Sequence, residues 1–221
     1  MVEIFAVKLL KQDVFFNKKT DLLNKLPASL IEKFNNYAHN KNLQRTIFGE
    51  LLSRYYIGLK TNTDSRNIFF NIGEKGKPFL QNSNIHFNIS HSGEWVVAAF
   101  SEKETGIDIE LIREPNYNVA KRYFSEIEIL NLNSTSDPER KRQLFFDYWT
   151  IKESYLKAIG TGLTKSLSSF TVLFNEGNIS ITDDVNKEDL YINQFDFDKD
   201  YKLSVCSYEE SILKKIQTIE F

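Results

Sequence analysis

The sequence predicts an α+β fold made of two similar halves within one chain. Residues 44–59 and 142–159 each place apolar side chains at helical spacing, and each stretch is followed by segments typical of strands. This shared order of elements, over 221 residues, indicates an N-terminal half at residues 1–104 and a C-terminal half at residues 105–221. Because ligand sites often lie where such units meet, we expect the functional site at their junction.

A hairpin is predicted in the N-terminal half. Residues 85–90 alternate apolar and polar side chains, which would turn Asn88 and Ser90 outward, toward solvent. Residues 95–100 are nearly all apolar, as in a strand that is buried on both faces. The polar residues 91–94 between them are expected to form the turn.

The remaining elements follow from the same kind of pattern. A helix is predicted over residues 22–37, beginning near Pro27, and residues 73–78 form a glycine-rich loop. Further strands are predicted at residues 2–9, 105–111, 170–174, 177–181 and 201–207, and a mobile loop at residues 131–138.

Composition restricts the class of protein. The 28 Lys and Arg against 30 Asp and Glu give a net charge of −2, which does not call for a nucleic-acid partner. The single Cys206 cannot form an intramolecular disulfide and is predicted to be an inert, buried thiol. The N-terminus lacks the pattern of a signal peptide, and no apolar run reaches the ~18 residues of a membrane span. We therefore expect a cytoplasmic protein with no membrane partner.

Two carboxylates share one face of a predicted strand. In residues 105–111, Asp108 and Glu110 alternate with apolar residues and so point to the same side. Two such acids repel each other unless a cation lies between them or one is protonated. Gly106, just before them, permits close approach of another backbone or of a ligand. A solvated edge strand is the alternative explanation, and the spacing alone does not decide.

Glu153 in the long helix is a candidate third acid. With Lys157 four residues later, it matches the commonest solvent-facing helix pair. However, Phe146 and Trp149 flank the same face, and a helix that is apolar nearly all round is usually internal. An acid on such a face needs a partner or a metal ion. Both interpretations stay open on the residues alone.

Other polar residues are weaker candidates. His91 lies among small hydroxyl residues, which favours contact with an anion, although a lone histidine is more often structural. Lys77 lies in the glycine-rich loop, where a solvated lysine is equally ordinary. His39 and His86 have no metal-like spacing to each other or to the cysteine, so a zinc site is not expected.

Four motifs follow one another along the chain. They are Gly76-Lys-Pro78, Phe87-Asn-Ile-Ser-His-Ser92, Gly106-Ile-Asp-Ile-Glu110 and Trp149-x-x-Lys-Glu-Ser-x-x-Lys157. Each is weak alone, but their order and separations resemble the Sfp-type 4′-phosphopantetheinyl transferases over residues 44–170. Arg45 and Thr46 match a further position of that family.

The resemblance implies an Mg²⁺-dependent holo-[carrier protein] synthase. Such a transferase moves the 4′-phosphopantetheine group from coenzyme A to a serine of an acyl or peptidyl carrier protein and releases adenosine 3′,5′-bisphosphate. The implied fold is a pseudo-dimer of two α/β halves in one chain, with coenzyme A bound in the cleft between them.

The resemblance also assigns roles to individual residues. Asp108, Glu110 and Glu153 are expected to hold Mg²⁺, and Lys157 to contact an α-phosphate oxygen. Glu153 is also expected to be the general base for the carrier serine, directly or through a water, with Glu128 as a further assisting acid. The side chains expected to contact the nucleotide part of coenzyme A are Arg45, Thr46, Lys77, Pro78, Ser90 and His91.

The chain departs from the family before Arg45. Only Lys33 and Lys41 are basic where relatives often have several cations, so a weaker contact with the 3′-phosphate is expected. A docking patch for the carrier is expected in residues 111–124, which include Ile112, Pro115 and Tyr117.

Two other functions remain as alternatives. One is a catalytically inactive relative that binds coenzyme A or a carrier as an interaction module; the complete set of three acids argues against it. The other is an Mg²⁺-dependent hydrolase that releases free phosphopantetheine. The sequence leaves open the pathway of the carrier and the choice of Mg²⁺ over Mn²⁺, and a monomer is the expected state.

Overall fold

The computed structural model describes residues 1–35, 41–175, 177–186 and 189–221, and it contains two main sheets that pack face to face with helices outside them. The helices are α1 Gln12–Leu23, α2 Ala28–Asn35, α3 Lys41–Thr61, α4 Tyr117–Tyr123, α5 Glu126–Ser134 and α6 Pro138–Ile159. The strands are β1 Val2–Lys8, β2 Asn71–Ile72, β3 Pro78–Phe79, β4 His86–Ser92, β5 Trp95–Ser101, β6 Thr105–Leu111, β7 Thr171–Asn175, β8 Asn178–Thr182, β9 Tyr191–Phe195, β10 Tyr201–Ser207 and β11 Ile212–Thr218.

The first sheet has the strand order β11-β1-β5-β4. Its inner strand β5 is apolar up to Ser101, and its residues from Val96 to Phe100 are fully buried because both faces of the sheet are covered. One face packs against α1, α2 and α3 through aromatic contacts such as that of Phe5 with Tyr56. The β4–β5 hairpin and the long helix over residues 44–59 are thereby confirmed.

The last strand departs from the predicted division of the chain. β11 lies in the C-terminal half by sequence, yet it pairs in parallel with β1 and forms the edge of the first sheet. The ammonium group of Met1 also lies 3.3 Å from Glu209 Oε2. The N-terminal half is therefore completed in space by residues from the end of the chain.

The second sheet has the order β6-β10-β9, and α6 lies against it. Small residues permit this approach: a Cβ on Gly106 would lie 2.1 Å from the Ser154 carbonyl oxygen. Ser154 Oγ also lies 3.2 Å from Cys206 Sγ, and burial raises the pKa of that thiol to about 12. The cysteine is thus a buried, unreactive packing residue, and α6 is internal on most of its surface.

The two sheets meet along β4 and β6, which are joined by side chains rather than by a backbone ladder. Three polar residues two apart on β4 accept hydrogen bonds from alternate N–H groups of β6. The pairs are Asn88 Oδ1 with Ile107 N at 3.0 Å, Ser90 Oγ with Ile109 N at 3.3 Å and Ser92 Oγ with Leu111 N at 3.1 Å. We call this set the polar ladder. The expectation that Asn88 and Ser90 face solvent is wrong, because this edge of β4 covers the edge of β6.

Three local predictions need correction. The predicted helix over residues 22–37 is interrupted: α1 ends at Leu23, and α2 starts after Pro27, as the restricted backbone around proline explains. Tyr37 lies outside the described residues. His91 belongs to β4 rather than to a turn. Most of the predicted loop at residues 131–138 belongs to α5 or to the N-cap of α6. None of the described helices is both long and apolar enough to cross a membrane.

The contact between β6 and α6 leads to a first prediction. Gly106→Ala should lower the free energy of unfolding by at least about 2 kcal/mol, because the new methyl group overlaps the α6 backbone, which cannot yield as a side chain would. Gly49→Ala in α3 is the matched control, since its methyl would meet the Ile89 side chain at 3.4 Å, an ordinary contact. Urea unfolding of both variants measures the difference; equal stabilities would contradict the close packing.

Candidate active site

The structure brings Asp108, Glu110, Glu153 and Lys157 together at the junction of β6 and α6. Asp108 is 5% exposed, and Glu110 and Glu153 are half-buried. Lys157 Nζ lies 2.6 Å from Asp108 Oδ1 and 3.1 Å from the Ile107 carbonyl oxygen. The predicted shared face of the two strand acids is therefore observed, and the helix acid faces it.

Burial and mutual repulsion perturb two of these acids. Burial raises the pKa of Glu153, and the negative charge of Asp108 raises it further, against the effect of Lys157. Burial likewise raises the pKa of Glu110, although the hydrogen bond from Ser92 opposes the shift. The pocket therefore disfavours holding all three carboxylates ionised.

A hard divalent cation fits this set of donors. Asp108 Oδ1 accepts hydrogen bonds from Ser90 and Lys157, but its Oδ2 is buried and has no hydrogen-bond partner among the described residues. Carboxylate oxygens are the ligands that Mg²⁺ prefers. The acids have not converged, since the described part of the chain contains no group of three or more Asp, Glu, His or Cys side chains close enough to be a preformed metal site.

A cationic corner adjoins the acids. Arg45 Nη2 donates to the Gly93 carbonyl oxygen at 2.6 Å, and its Nε is buried without a hydrogen-bond partner among the described residues. His91 is partly open to solvent, and the protein around it lowers the pKa of its ring, as do the charges of Arg45 and Lys157. Protonation of the imidazole is thus disfavoured. Thr46 is exposed, and its hydroxyl donates to the Asn42 carbonyl oxygen at 2.9 Å.

Lys77 connects the glycine-rich loop to the acid-bearing elements. Its Nζ lies 2.6 Å from Glu104 Oε2, 3.2 Å from the Thr105 carbonyl oxygen and 3.1 Å from the Lys157 carbonyl oxygen. Pro78 follows it in β3 and is half-buried. Lys77 and Pro78 both line a cavity of about 350 Å³ beside the start of β4.

Glu128 does not join the other acids as expected. It is fully buried and forms an ion pair with Lys152, whose Nζ lies 2.9 Å from Glu128 Oε2. Its two oxygens also accept hydrogen bonds from Val172 N at 2.7 Å and Ser125 N at 2.8 Å, the latter within the capping box of α5. With both oxygens engaged and no exposed surface, this carboxylate is placed to support the fold rather than to take a proton from a carrier serine.

Lys152 is a residue whose role the sequence did not reveal. Its ammonium group is fully buried and donates to the Leu167 and Phe170 carbonyl oxygens at 2.8 and 2.7 Å. It thus fixes the segment that follows α6. One indication of a role for Lys152 was present in the sequence, namely its position in the motif next to Glu153. A single lysine in a helix does not indicate that its partner is buried.

A groove runs from the acids along α4 and α6. Its volume is about 320 Å³, and Glu110 lies at one end. Of the three residues expected to form a docking patch, Pro115 lines the groove, whereas Ile112 and Tyr117 pack in the cluster beneath it. The other lining residues are Arg113, Glu114, Asn116, Val119, Phe145, Phe146 and Trp149.

The two-half fold places three acids and a cationic corner near one another at its junction, an arrangement typical of enzymes that act on phosphate-containing substrates. Comparison with known proteins identifies the family. The profile described as 4′-phosphopantetheinyl transferase superfamily matches residues 104–206, and the one described as 4′-phosphopantetheinyl transferase, N-terminal, matches residues 16–103.

Individual relatives agree over most of the chain. A 4′-phosphopantetheinyl transferase, gsp, of Aneurinibacillus migulanus is 40% identical over 82% of this chain and 76% of its own length. A 4′-phosphopantetheinyl transferase of Bacillus subtilis is 37% identical over 80% of this chain and 79% of its own length. Sfp of Bacillus subtilis strain 168 is 34% identical over 86% of this chain and 85% of its own length. The chain belongs to the 4′-phosphopantetheinyl transferase superfamily and is of the Sfp type. The predicted fold class, family and enzyme class are confirmed.

The buried pair in α5 and α6 gives a second prediction. Glu128→Gln should lower the free energy of unfolding by about 3 kcal/mol, because it leaves the Lys152 charge buried without a counter-charge. The double variant Glu128→Gln with Lys152→Met should recover part of the loss in urea unfolding. Glu128→Gln assayed where it is folded should keep activity near wild type; a large loss of rate with unchanged stability would show that the carboxylate is catalytic.

The repulsion among the acids gives a third prediction, for the protein in a metal chelator. The pKa of the Glu153 carboxyl is higher in the folded chain than in the unfolded chain, where it is near 4.5. The stability that this difference contributes is fully present below pH 4.5. It is lost as the pH rises through the folded-state pKa, because the buried carboxyl must then ionise. Glu153→Gln should therefore be more stable than wild type at pH 8, by a margin that shrinks as the pH falls toward 5. Thermal unfolding at both pH values measures it, with the exposed Glu102→Gln as control.

Proposed function

We propose that the junction between the two halves carries the transfer of 4′-phosphopantetheine from coenzyme A to a serine hydroxyl of an acyl or peptidyl carrier protein. Adenosine 3′,5′-bisphosphate is the second product. The observation that carries this proposal is the buried, unpaired Oδ2 of Asp108, which lies among acids beside a cationic corner. Such an arrangement suits a divalent cation together with a phosphate ester.

Asp108, Glu110 and Glu153 are the residues assigned to hold Mg²⁺. When bound, the ion would neutralise the negative charge that develops on the departing phosphate oxygen. Two observations support this assignment. All the donor atoms are carboxylate oxygens. The pKa values of Glu110 and Glu153 are raised, because the nearby positive charges do not offset burial and the repulsion from Asp108.

Glu153 is also assigned as the general base, directly or through a water. Burial and the charge of Asp108 disfavour its ionised form, and a bound cation would favour that form, in which a carboxylate can accept the proton of the serine hydroxyl. Lys157 is assigned to an α-phosphate oxygen of coenzyme A. Its ammonium group already lies against Asp108, so a phosphate oxygen near the acids would be within its reach.

The nucleotide part of coenzyme A is assigned to the cationic corner and to the cavity beside Lys77 and Pro78. Arg45 and His91 are assigned to phosphate groups, Thr46 is exposed next to Arg45, and the largely apolar wall of the cavity suits a base. Ser90 is buried, and its hydroxyl is already bonded to Asp108 and to the backbone of β6. Its contribution therefore comes chiefly through Asp108.

The groove beside Glu110 is assigned to the carrier protein. Glu110 is one of its lining residues, as are Phe145 and Trp149, whose aromatic rings stack with their centroids 6.2 Å apart. Arg113 at its edge is exposed and positively charged, which suits an acidic partner surface. The monomeric state and the cytoplasmic location remain predictions.

The alternatives predict different products. An inactive binding module would retain affinity for coenzyme A or the carrier without changing either, and a hydrolase would release free phosphopantetheine. Neither needs a groove for a carrier together with a complete set of acids. The transferase accounts for both features.

The test measures the mass of the carrier. Apo carrier proteins of the acyl and peptidyl types are incubated with the protein, coenzyme A and Mg²⁺, and each is then weighed by mass spectrometry. We expect a gain of one phosphopantetheine group on the carrier serine. Unchanged carriers of every type would refute the transferase, and free phosphopantetheine in solution would favour the hydrolase.

A fourth prediction concerns the acids. Asp108→Ala and Glu153→Gln should each lower the rate of carrier modification at least about 10²-fold, since each removes a group that acts in the transition state. Glu102→Gln, which changes an exposed acid away from the site, should keep the wild-type rate. Near-normal activity of either site variant would contradict its assignment as a metal ligand.

A further inference from the structure

Two serines of β4 each contact one of the acids assigned to the cation. Ser90 Oγ donates to Asp108 Oδ1 at 2.9 Å, and Ser92 Oγ donates to Glu110 Oε2 at 2.7 Å. Each hydroxyl also accepts the N–H of the residue that follows the acid, as part of the polar ladder. Donor and acceptor functions of both hydroxyls are therefore in use, and each serine is fixed against the backbone that carries the acid.

These hydrogen bonds determine which carboxylate oxygen stays available. Asp108 Oδ1 is occupied by Ser90 and Lys157, so Oδ2 is left buried and without a hydrogen-bond partner among the described residues. In Glu110, the bond from Ser92 fixes Oε2 on the side of β4. A flexible glutamate is thereby restricted to orientations that keep its other oxygen away from the ladder.

We propose that Ser92, together with Ser90, is a positioning residue of the transferase: it holds the Glu110 carboxylate in the orientation in which it binds the divalent cation. The inference rests on the proposed function, because it takes the acids as the ligands of that cation. Ser92 acts through Glu110, and the partner of a metal-binding carboxylate typically contributes about 10–100-fold to metal affinity. Asn88, the third member of the ladder, bonds to the Ile107 N–H and to no acid.

The experiment uses Mn²⁺ as the probe and the full chain as the receptor. Bound Mn²⁺ is measured by the loss of the EPR signal of the free ion, with no turnover required, and thermal unfolding is recorded for every variant. Ser92→Ala should weaken Mn²⁺ binding about 10-fold. Ser92→Thr, which keeps the hydroxyl, should bind close to wild type.

Two controls separate positioning from support of the fold. Ser101→Ala removes a hydroxyl that accepts from Lys103 N at 3.2 Å and touches no acid, so Mn²⁺ affinity should not change. Asn88→Ala removes one hydrogen bond of the polar ladder. It should lower the melting temperature and leave Mn²⁺ affinity close to that of wild type. If Ser92→Ala does not fold, Ser92→Cys replaces it, because a thiol of similar shape is only a weak donor.

The outcomes distinguish this inference from the proposed function. Wild-type affinity in Ser92→Ala, with affinity lost in Asp108→Ala, would overturn the positioning role and leave the acid site intact. An equal loss in Asn88→Ala and Ser92→Ala would also overturn it, because the ladder would then act only as a scaffold. No Mn²⁺ binding by wild type, or equal binding by wild type and Asp108→Ala, would refute the acid site itself.

Discussion

The rest of the structure depends on the three hydrogen bonds of the polar ladder between β4 and β6. Each strand is the edge of its own sheet, and an edge leaves a row of backbone groups without partners. Side chains rather than carbonyl groups satisfy the N–H groups of β6, so the two edges stand one side-chain length apart. The apolar faces of the sheets can then pack together through Val97, Ala99, Ile107 and Ile109.

Alternation along β6 also explains how the acids proposed to bind the cation come to lie beside this structural seam. Alternation along β6 sends its apolar residues into the core between the sheets and Asp108 and Glu110 to the opposite face, toward α6. Gly106 lets α6 approach closely enough for Glu153 and Lys157 to face these acids. The buried pair of Lys152 and Glu128 fixes the segment that leaves the helix. Stability is thus concentrated in the elements around the acids, while the acids themselves repel one another.

Local periodicity was sufficient to predict a large part of this arrangement. The shared face of Asp108 and Glu110, the long helix itself and the β4–β5 hairpin each follow from a repeat of two or 3.6 residues, whereas the burial of the helix face that carries Glu153 stayed open. The features that periodicity missed depend on contacts between residues that are distant in sequence. Asn88, Ser90 and Ser92 show the alternation of a solvated face, and only the position of β6 makes that face an interface.

The same reasoning accounts for other contacts that the sequence did not reveal. The parallel pairing of β11 with β1 joins the two ends of the chain, and no local pattern encodes it. Glu128 was assigned through the family resemblance, but its partners, Lys152 and Val172, become neighbours only after α5, α6 and β7 have packed. A carboxylate in a capping box is indistinguishable by sequence from one that faces a substrate. Burial decides between them, and burial is a property of the folded chain.

The charges of the site support the proposed cation. Three carboxylates, Asp108, Glu110 and Glu153, face the basic side chains of Lys157 and Arg45, and the lowered pKa of His91 disfavours a further positive charge. Ionisation of all three acids would make the site alone negative, and it would then repel a pyrophosphate. Lys157 partly compensates by binding Asp108, the same ammonium group that a phosphate would need. A divalent cation among the acids reverses the sign of the pocket and removes the need for Lys157 to neutralise Asp108, so the cation and the anionic substrate should favour each other's binding.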